Sequence, residues 1–224
     1  MDLMMEEPEG KARMKAITEQ HGNPDPFAGP MGSEADNPAK FCGCTATTVL
    51  ITPTHLICAN AGDSRVVLGR SGGDKVCEPL SEDHKPDNEG EKSRIEAVGG
   101  FVEENRVNGS LALSRALGDF EYKGNDVDYT RQAVTCDPDV KTVARTAQDS
   151  FIFLACDGIW DCLTSEEVVE QTGAELRTLD EATPCSSIIE GMFDRIIAKD
   201  VLSSAGKGTD NMTAIIVQLK PRSG

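Results

Sequence analysis

Apolar residues are most concentrated at residues 151–156, where five apolar side chains and a cysteine run directly into Asp157. A short apolar run of this kind, bounded here by Gly158, is typical of a strand that is buried on both faces. A carboxylate at the end of such a strand lies at the rim of a core, where a charge is costly unless it is paired or binds a metal. The stretch therefore predicts a central strand with a candidate functional group at its end.

The remaining pattern predicts a mixture of strands and helices. Runs rich in β-branched residues, separated by turn residues, predict strands over residues 45–51, 55–60, 65–69, 76–80 and 212–219. Helical spacing of apolar residues predicts helices over residues 89–98 and 186–199, and a third helix that begins at Ser165 as its N-cap. Residues 111–117 fit either a helix or a turn.

Residues 1–40 differ in composition from the rest of the chain. They contain five Pro, four Gly and eight acidic against four basic residues, with few large apolar side chains. A segment of this kind buries too little apolar surface to order itself. We therefore expect residues 1–40 to be a disordered acidic tail or insertion, and residues 41–220 to form the folded domain.

Charge and length exclude several classes of protein. The net charge of −16 over 224 residues argues against nucleic-acid binding, which needs a basic surface. No apolar run approaches the length of a membrane span, and the N-terminus lacks the pattern of a signal peptide. We expect no nucleic-acid partner and no membrane association.

The eight cysteines indicate a reducing compartment. Cys58, Cys77 and Cys156 lie inside apolar, strand-like runs rather than in loops, which is typical of reduced thiols. We therefore expect a cytoplasmic or nuclear protein. Cys42 and Cys44 form a Cys-Gly-Cys pair, which fits either a metal or redox pair or small residues packed in a strand.

Several polar residues near the predicted strand ends are candidates for chemistry. Asp161 follows Asp157 by four residues, so a helical turn would place both carboxylates on one side, and two carboxylates suit a hard cation such as Mg or Mn. The alternative is that Asp157 caps a helix and Asp161 is solvated. Asp210 precedes the last predicted strand, Asp63 fits an ordinary turn residue, and His84 fits either an acid or base or a hydrogen-bonding loop residue.

Five sequence segments, in a fixed order, resemble one enzyme family. They are residues 59–65 (ANAGDSR), 83–86 with Glu91, Arg94 and residues 99–100 (DHKP, then E, RI and GG), 106–119 (RVNGSLALSRALGD), 155–161 (ACDGIWD) and 210–213 (DNMT). Together they resemble the metal-dependent, type 2C Ser/Thr protein phosphatases. The resemblance implies hydrolysis of phosphoserine and phosphothreonine in proteins by a metal-activated water. It also implies an α+β fold, an α-β-β-α sandwich of two antiparallel sheets flanked by helices.

The resemblance assigns roles to individual residues. It implies that Asp157 and Asp210 bind two core Mg or Mn ions, and that Asp63 and Asp161, with Asp157, hold a third, weaker ion. It implies that residues 84–100 form a flap near the active site, with His84, Lys85 and Arg94 among its residues. These assignments replace the simpler interpretations of Asp63, Asp157 and Asp161.

One part of the family pattern is absent from this sequence. The family's domain has an N-terminal part with an Arg for the substrate phosphate, a Glu-Asp pair and an Asp-Gly-His-Gly-Gly motif that supplies a bridging ligand and a candidate general acid. No Asp-Gly-His occurs here, so no catalytic residue is assigned beyond the metal ligands. We expect the C-terminal two-thirds of the catalytic domain, a sandwich that lacks its N-terminal part, with that part either lost or supplied by another chain.

Three functions remain open from the sequence. The first is a phosphatase, acting on a phosphoprotein substrate, whose missing part is either supplied by another chain or lost. The second is a non-catalytic fragment or pseudophosphatase that binds a phosphoprotein or a regulator. A haloacid dehalogenase-type hydrolase also carries an Asp after an apolar strand, but its second Asp comes two residues later, whereas here the spacing is four.

Overall fold

The computed structural model describes residues 1–21, 38–72, 76–124, 126–180 and 182–220. Its α-helices are α1 (Asp2–Glu6), α2 (Pro8–His21), α3 (Glu89–Ala97), α4 (Asp157–Trp160), α5 (Ser165–Thr178) and α6 (Ser186–Ile196). Its strands are β1 (Gly43–Cys44), β2 (Ala46–Ile51), β3 (His55–Ala61), β4 (Arg65–Arg70), β5 (Cys77–Pro79), β6 (Val102–Glu103), β7 (Arg106–Val107), β8 (Leu117–Gly118), β9 (Asp139–Ala144), β10 (Asp149–Ala155) and β11 (Ala214–Gln218). Most of the predicted strands and helices are confirmed, including the central strand, which is β10.

The chain divides into two compact units. The first unit comprises Met1–Ala46 and His84–Pro138, and the second comprises Thr47–Asp83 and Asp139–Gly224. The second unit holds a four-stranded sheet in the order β11-β10-β4-β5 and a three-stranded sheet in the order β2-β3-β9. Strand β10 pairs antiparallel with both β4 and β11, and β3 pairs antiparallel with β9. The expected mixed fold with antiparallel sheets is therefore confirmed.

Strand β10 is buried on both faces, as its apolar run predicts. Phe151 and Phe153 point to one face, and Ile152 points to the other, because successive side chains of a strand alternate. All three are at most 2% exposed. The alternation divides the apolar residues of the second unit into two clusters.

One cluster joins the two sheets of this unit, and the other joins the four-stranded sheet to helices. Leu56 of β3, Leu68 of β4 and Ile152 of β10 belong to the first cluster. In the second cluster, Phe153 packs with Val168 of α5 and with residues of α6. Two sheets and one helical layer follow from these contacts, whereas a helical layer outside the three-stranded sheet stays a prediction.

Helix α5 begins one residue earlier than the sequence pattern indicates. Thr164, not Ser165, is the N-cap, and its side chain accepts a hydrogen bond from the Glu167 amide at 3.2 Å. The Glu167 carboxylate accepts from the Thr164 amide at 2.8 Å, which completes a capping box.

Of the helices that the structure describes, none has the length and apolar character needed to cross a membrane.

The first unit is built around helix α3 and short strand pairs. Strand β1 pairs antiparallel with β8, and β6 pairs antiparallel with β7. Its core is a small cluster in which Ile95 of α3 and Val107 are fully buried beside Ala116 and Val134. Residues 111–116 form bends and isolated β-bridges, and Leu117 begins β8, so the helix alternative is wrong for this segment.

The first 21 residues are helical, which differs from the disorder that we expected of them. Helices α1 and α2 carry exposed apolar side chains, as the composition indicates, but α1 is held by a buried charge instead. The Asp2 carboxylate accepts hydrogen bonds from the Gly118 amide at 3.0 Å and from the Lys123 ammonium, which also donates to the Ala116 carbonyl at 2.8 Å. The expected disorder considered only apolar burial, whereas a buried ion pair holds α1 in place. Residues 22–37 of the expected tail lie outside the described residues.

We predict that Asp2→Ala destabilises the protein by about 3 kcal/mol, because it leaves the Lys123 ammonium buried without its counter-charge. The side chain of Lys123 is 2% exposed, so its charge depends on this carboxylate more than an exposed ammonium would. Urea unfolding followed by circular dichroism measures the change. Glu9→Ala is the matched control, since Glu9 is exposed on α2, and its change should stay below about 1 kcal/mol. Equal effects of the two substitutions would show that Asp2 is not the anchor.

Candidate metal-binding site

The register of the four-stranded sheet brings three chain segments to one edge. Ala155, the last residue of β10, pairs with Arg65, the first residue of β4, and with Ala214, the first residue of β11. Because both pairings are antiparallel, the end of β10 and the beginnings of its two neighbours lie side by side. Residues just outside these three positions must share that edge.

Four aspartates lie at or beside this edge. Asp63 precedes β4 by two residues, Asp157 follows β10 by two, Asp210 precedes β11 by four, and Asp161 follows Asp157 by one helical turn. We call these four residues the carboxylate rim. Asp63 is 4% exposed, whereas Asp161 and Asp210 are exposed. The topology therefore gathers at one edge the four residues that the sequence singled out, although they come from three separate segments.

Asp157 is the first residue of α4 rather than its cap. The N-cap is Cys156, whose side chain makes no capping hydrogen bond. The amide of Asp161 donates to the Asp157 carbonyl at 2.8 Å, so the chain turns helically between the two carboxylates, as the spacing predicts. The alternative of Asp157 as a helix cap is therefore wrong.

Asp210 is fixed beside α4 by close backbone packing. A Cβ atom on Gly158 would lie 2.3 Å from the Asn211 carbonyl oxygen and 3.6 Å from the Asp210 Cβ. The Cys156 thiol joins the same contact, because it donates to the Asn211 carbonyl at 3.3 Å and accepts from the Thr213 amide at 3.2 Å. These contacts fix Asp210 next to the turn that carries Asp157.

Arg65 contacts the residues next to the carboxylate rim, a role that the sequence did not reveal. Its guanidinium donates two hydrogen bonds of 2.8 Å to the Asp83 carboxylate and stacks 5.0 Å from the centre of the Trp160 ring. The pKa of Arg65 is raised, chiefly by the hydrogen bonds to Asp83 and with a contribution from the charge of Asp161. Arg65 therefore places a permanent positive charge beside an acidic edge. The only signal in the sequence was its position two residues after Asp63.

The ligand chemistry of the rim fits a hard cation, but the rim is not a complete metal site. Carboxylate oxygens are the donors that Mg and Mn prefer. Among the residues that the structure describes, however, no group of three or more His, Cys, Asp or Glu side chains is close enough to hold a metal ion. The assignment of Asp63, Asp157, Asp161 and Asp210 as metal ligands thus stays a prediction.

The predicted flap residues belong to the first unit, where they have structural partners. His84 is 3% exposed, and its carbonyl accepts a hydrogen bond of 3.0 Å from the Ser114 amide. The carbonyl of Lys85 accepts from the Asn88 amide at 3.1 Å, which turns the chain towards α3. Their assignment to a flap near an active site stays a prediction.

Arg94 is bonded within the first unit through its guanidinium. It donates to the carbonyls of Gln132 at 2.9 Å and Ser114 at 2.7 Å, and it lies 2.8 Å from the Glu91 carboxylate. Arg115 binds the same carboxylate at 2.6 Å, and the Ser114 hydroxyl donates to it at 2.5 Å. Arg94 is thus part of a buried network around Glu91 that holds α3 to the loop of Ser114.

Glu91 is ionised inside this network. Burial opposes its charge and is the largest single influence, but hydrogen bonds from Arg115, Arg94 and Ser114 together outweigh it and lower the pKa of Glu91 to about 2. In the sequence, Glu91 stands out only as part of a motif. Its partners lie 3 to 24 residues away, so no local pattern could reveal the network.

Comparison with known proteins gives one consistent family. The sequence profile of the family described as Protein phosphatase 2C matches residues 8–201, a span that begins inside the segment that we interpreted as a tail. Protein phosphatase 2C homolog 3 of Schizosaccharomyces pombe is 52% identical over 177 residues, which are 79% of this chain and 41% of that protein. Probable protein phosphatase 2C 21 of Arabidopsis thaliana is 43% identical over 201 residues, 89% of this chain and 54% of that protein. The chain spans about half the length of these curated relatives.

A solved structure agrees at the level of the fold. The serine-threonine phosphatase 2C from Toxoplasma gondii superposes with a TM-score of 0.65, covering 95% of this chain and 64% of that chain. Its sequence identity is 24%, so this likeness concerns the fold alone.

We predict that Gly158→Ala destabilises the protein by about 1–3 kcal/mol, because its Cβ atom would collide with the Asn211 carbonyl and push Asp210 away from Asp157. Gly90→Ala is the control, since Gly90 lies in α3 with no atom near its missing Cβ. It should be neutral or slightly stabilising. Thermal unfolding of both variants provides the test, and an unchanged melting temperature for Gly158→Ala would contradict the close packing.

A second prediction concerns pH. Since the pKa of Glu91 is lowered to about 2 from 4.5, its ionised form stabilises the folded state by about 3 kcal/mol above pH 4.5, and this stabilisation is lost as the pH falls towards 2. The difference in unfolding free energy between the natural protein and Glu91→Gln should therefore be large at pH 7 and shrink towards pH 3. Urea titrations across this range measure it. Glu96→Gln, at an exposed position of the same helix, should show a small difference at every pH.

Proposed function

The chain belongs to the protein phosphatase 2C family, and we propose that it forms part of a Mg- or Mn-dependent protein serine/threonine phosphatase. Its substrate would be a phosphoprotein, from which it removes phosphate by hydrolysis at phosphoserine or phosphothreonine. The observation that carries the proposal is the packing of Gly158 against Asn211, which holds Asp157 and Asp210 at one edge of the sheet. Backbone packing fixes the positions of these two residues in the chain, which favours a shared cation between them.

In this proposal each rim residue has a defined task. Asp157 and Asp210 hold two core cations, and Asp63 and Asp161, with Asp157, hold a third, weaker one. When bound, the cations supply the Lewis acidity that activates water for attack on phosphorus, which requires no protein nucleophile. Arg65 contacts Trp160 of α4 and carries a positive charge, which offsets the negative charge of the rim.

The ligand set is completed by residues outside this chain. Support comes from the absence of a closed group of three ligands in the described ranges and from the share of about half that the chain covers in its relatives. The four-stranded sheet also ends at β11, where Ile215 is 54% exposed. An edge strand of this kind is open to pairing with another strand. We propose that a further segment or a partner chain pairs there and supplies the remaining metal ligands, completing an α-β-β-α sandwich.

The second candidate is a non-catalytic module that binds a phosphoprotein or a regulator. The incomplete ligand set of the described residues favours it, because hydrolysis by two cations needs both of them held. The two candidates differ in one property, namely turnover once the ligand set is complete. For either candidate, a cytoplasmic or nuclear location is supported by the eight free cysteines.

We predict that the chain alone hydrolyses a phosphothreonine peptide poorly with Mn or Mg, and that turnover appears when it is mixed with the part of the Schizosaccharomyces pombe homolog that lies outside the matched span. Asp157→Asn should then lower the rate by about 100-fold or more, because it removes a charge that stabilises the core cations. Phosphate release measures the rate.

Asp126→Asn is the matched control, since Asp126 lies in the first unit outside the carboxylate rim. Turnover that is equal in both variants would show that Asp157 is not a ligand. No turnover under any condition would favour the non-catalytic module.

A further inference from the structure

The guanidinium of Arg65 joins four segments of the second unit. Arg65 is the first residue of β4, and it donates two hydrogen bonds of 2.8 Å to the two carboxylate oxygens of Asp83. It also donates to the hydroxyl of Ser165, the first residue of α5, at 3.1 Å. Its Cζ atom lies 5.0 Å from the centre of the Trp160 ring in α4. Two parallel bonds to one carboxylate fix the orientation of the planar guanidinium, and we call these two residues the Arg65–Asp83 pair.

The position of α4 depends on the packing of Trp160. Helix α4 is a single turn of four residues, and its N-cap side chain makes no capping hydrogen bond. A helix this short is not stable by itself, so contacts with the rest of the unit determine where it lies. The Trp160 indole donates to the Ala155 carbonyl at 2.8 Å and packs edge-on against Phe153. Since Trp160 is only 8% exposed, the guanidinium of Arg65 is one of the groups that enclose its ring.

Arg65 thereby connects two of the segments that form the carboxylate rim. Asp161 follows Trp160 directly, and its amide donates to the Asp157 carbonyl at 2.8 Å, which closes the α4 turn. On the other side, Arg65 follows Asp63 by two residues. Asp63, Asp157 and Asp161 are the three residues that the proposed function assigns to the weaker third cation.

Asp210 reaches the rim by a separate contact. It is fixed through the close packing of Asn211 against Gly158. Within the part of the chain that the structure describes, Arg65 forms no hydrogen bond or ion pair with Asp210 or Asn211. A change at Arg65 therefore acts on one side of the rim and leaves the contact that holds Asp210 in place.

The charges of the Arg65–Asp83 pair cancel, which allows position and charge to be separated by experiment. Removing the guanidinium alone would also strengthen the attraction of a cation to the rim, because it removes a nearby positive charge. Removing both members leaves the net charge unchanged. It still removes the two hydrogen bonds and the contact with the Trp160 ring.

We propose that Arg65 is a positioning residue: through Trp160, the Arg65–Asp83 pair holds Asp157 and Asp161 where they share a divalent cation with Asp63. This proposal rests on the proposed function, since it concerns the affinity of the rim for one of its cations. Arg65 contacts neither the cation nor the substrate in this role. Groups that orient metal ligands from outside commonly change metal affinity by about 10- to 100-fold.

The test measures Mn²⁺ binding, with the free ion detected by electron paramagnetic resonance, for the natural chain and for Arg65→Gln with Asp83→Asn. We expect about tenfold weaker binding in this double variant, although its net charge is unchanged. In the absence of metal, the Asp161 amide should also exchange its hydrogen faster, because the α4 turn opens more often. Nuclear magnetic resonance measures this exchange. Arg65→Lys is a milder variant that keeps the charge but not the planar fork, and it should weaken Mn²⁺ binding by a smaller factor.

Arg70→Gln with Glu78→Gln is the matched control. Arg70 is the last residue of β4, and its ion pair with Glu78 is exposed to a similar extent, 18% and 15% against 25% and 15% for the Arg65–Asp83 pair. This control also keeps the net charge and should lower the melting temperature, but it should leave Mn²⁺ affinity and Asp161 exchange unchanged. Equal Mn²⁺ affinity in the natural chain and the Arg65 and Asp83 variant, or an equal loss in both double variants, would overturn the proposal.

Failure of this proposal is distinguishable from failure of the proposed function. Binding is therefore measured on the chain alone and on the chain mixed with the part of the homolog that is used to complete the ligand set. Absence of Mn²⁺ binding in both preparations would reject the cation site itself, and the role of Arg65 with it. Binding that Asp161→Asn weakens but the Arg65 and Asp83 variant does not would retain the cation site and reject the positioning role.

Discussion

The double burial of strand β10 is the constraint on which the second unit depends. A strand with apolar side chains on both faces must have a layer packed on each side, here β3 with its neighbours and helices α5 and α6. Its two antiparallel neighbours then fix where every adjoining segment begins. The rim of aspartates follows from that register: a slip of one residue would turn Phe151 and Phe153 to the wrong face.

The sequence was most informative where the pattern is local and repeated. The apolar run of β10, the runs bounded by turn residues in β3 and β4, the capping signal of α5 and the helical spacing in α6 each predicted an element of the right kind. The helical order of α1 was not predicted, because it is held by the contact of Asp2 with Lys123, 121 residues away. Such contacts leave no periodic signal in either segment.

At the candidate site, too, local motifs were informative and contacts between distant residues were not predictable. Motif resemblance identified the four rim aspartates, and the sheet register explains how they share an edge. It did not distinguish a residue that acts on a ligand from one that supports the scaffold. Arg94 illustrates the difficulty: the motif placed it in a flap, and its guanidinium is bonded to Glu91 and to backbone carbonyls of its own unit. Only the positions of its partners reveal this.

The placement of Trp160 has a practical consequence. It is the one tryptophan of the chain, and it immediately precedes Asp161 in sequence. Its indole ring lies 5.8 Å from the ring of Phe153 and 5.0 Å from the guanidinium of Arg65. Indole emission responds to nearby charge and to the packing of the ring. The protein therefore contains an intrinsic optical reporter at the sheet edge where Asp157 and Asp161 lie, and the arrival of a cation there can be followed without a label.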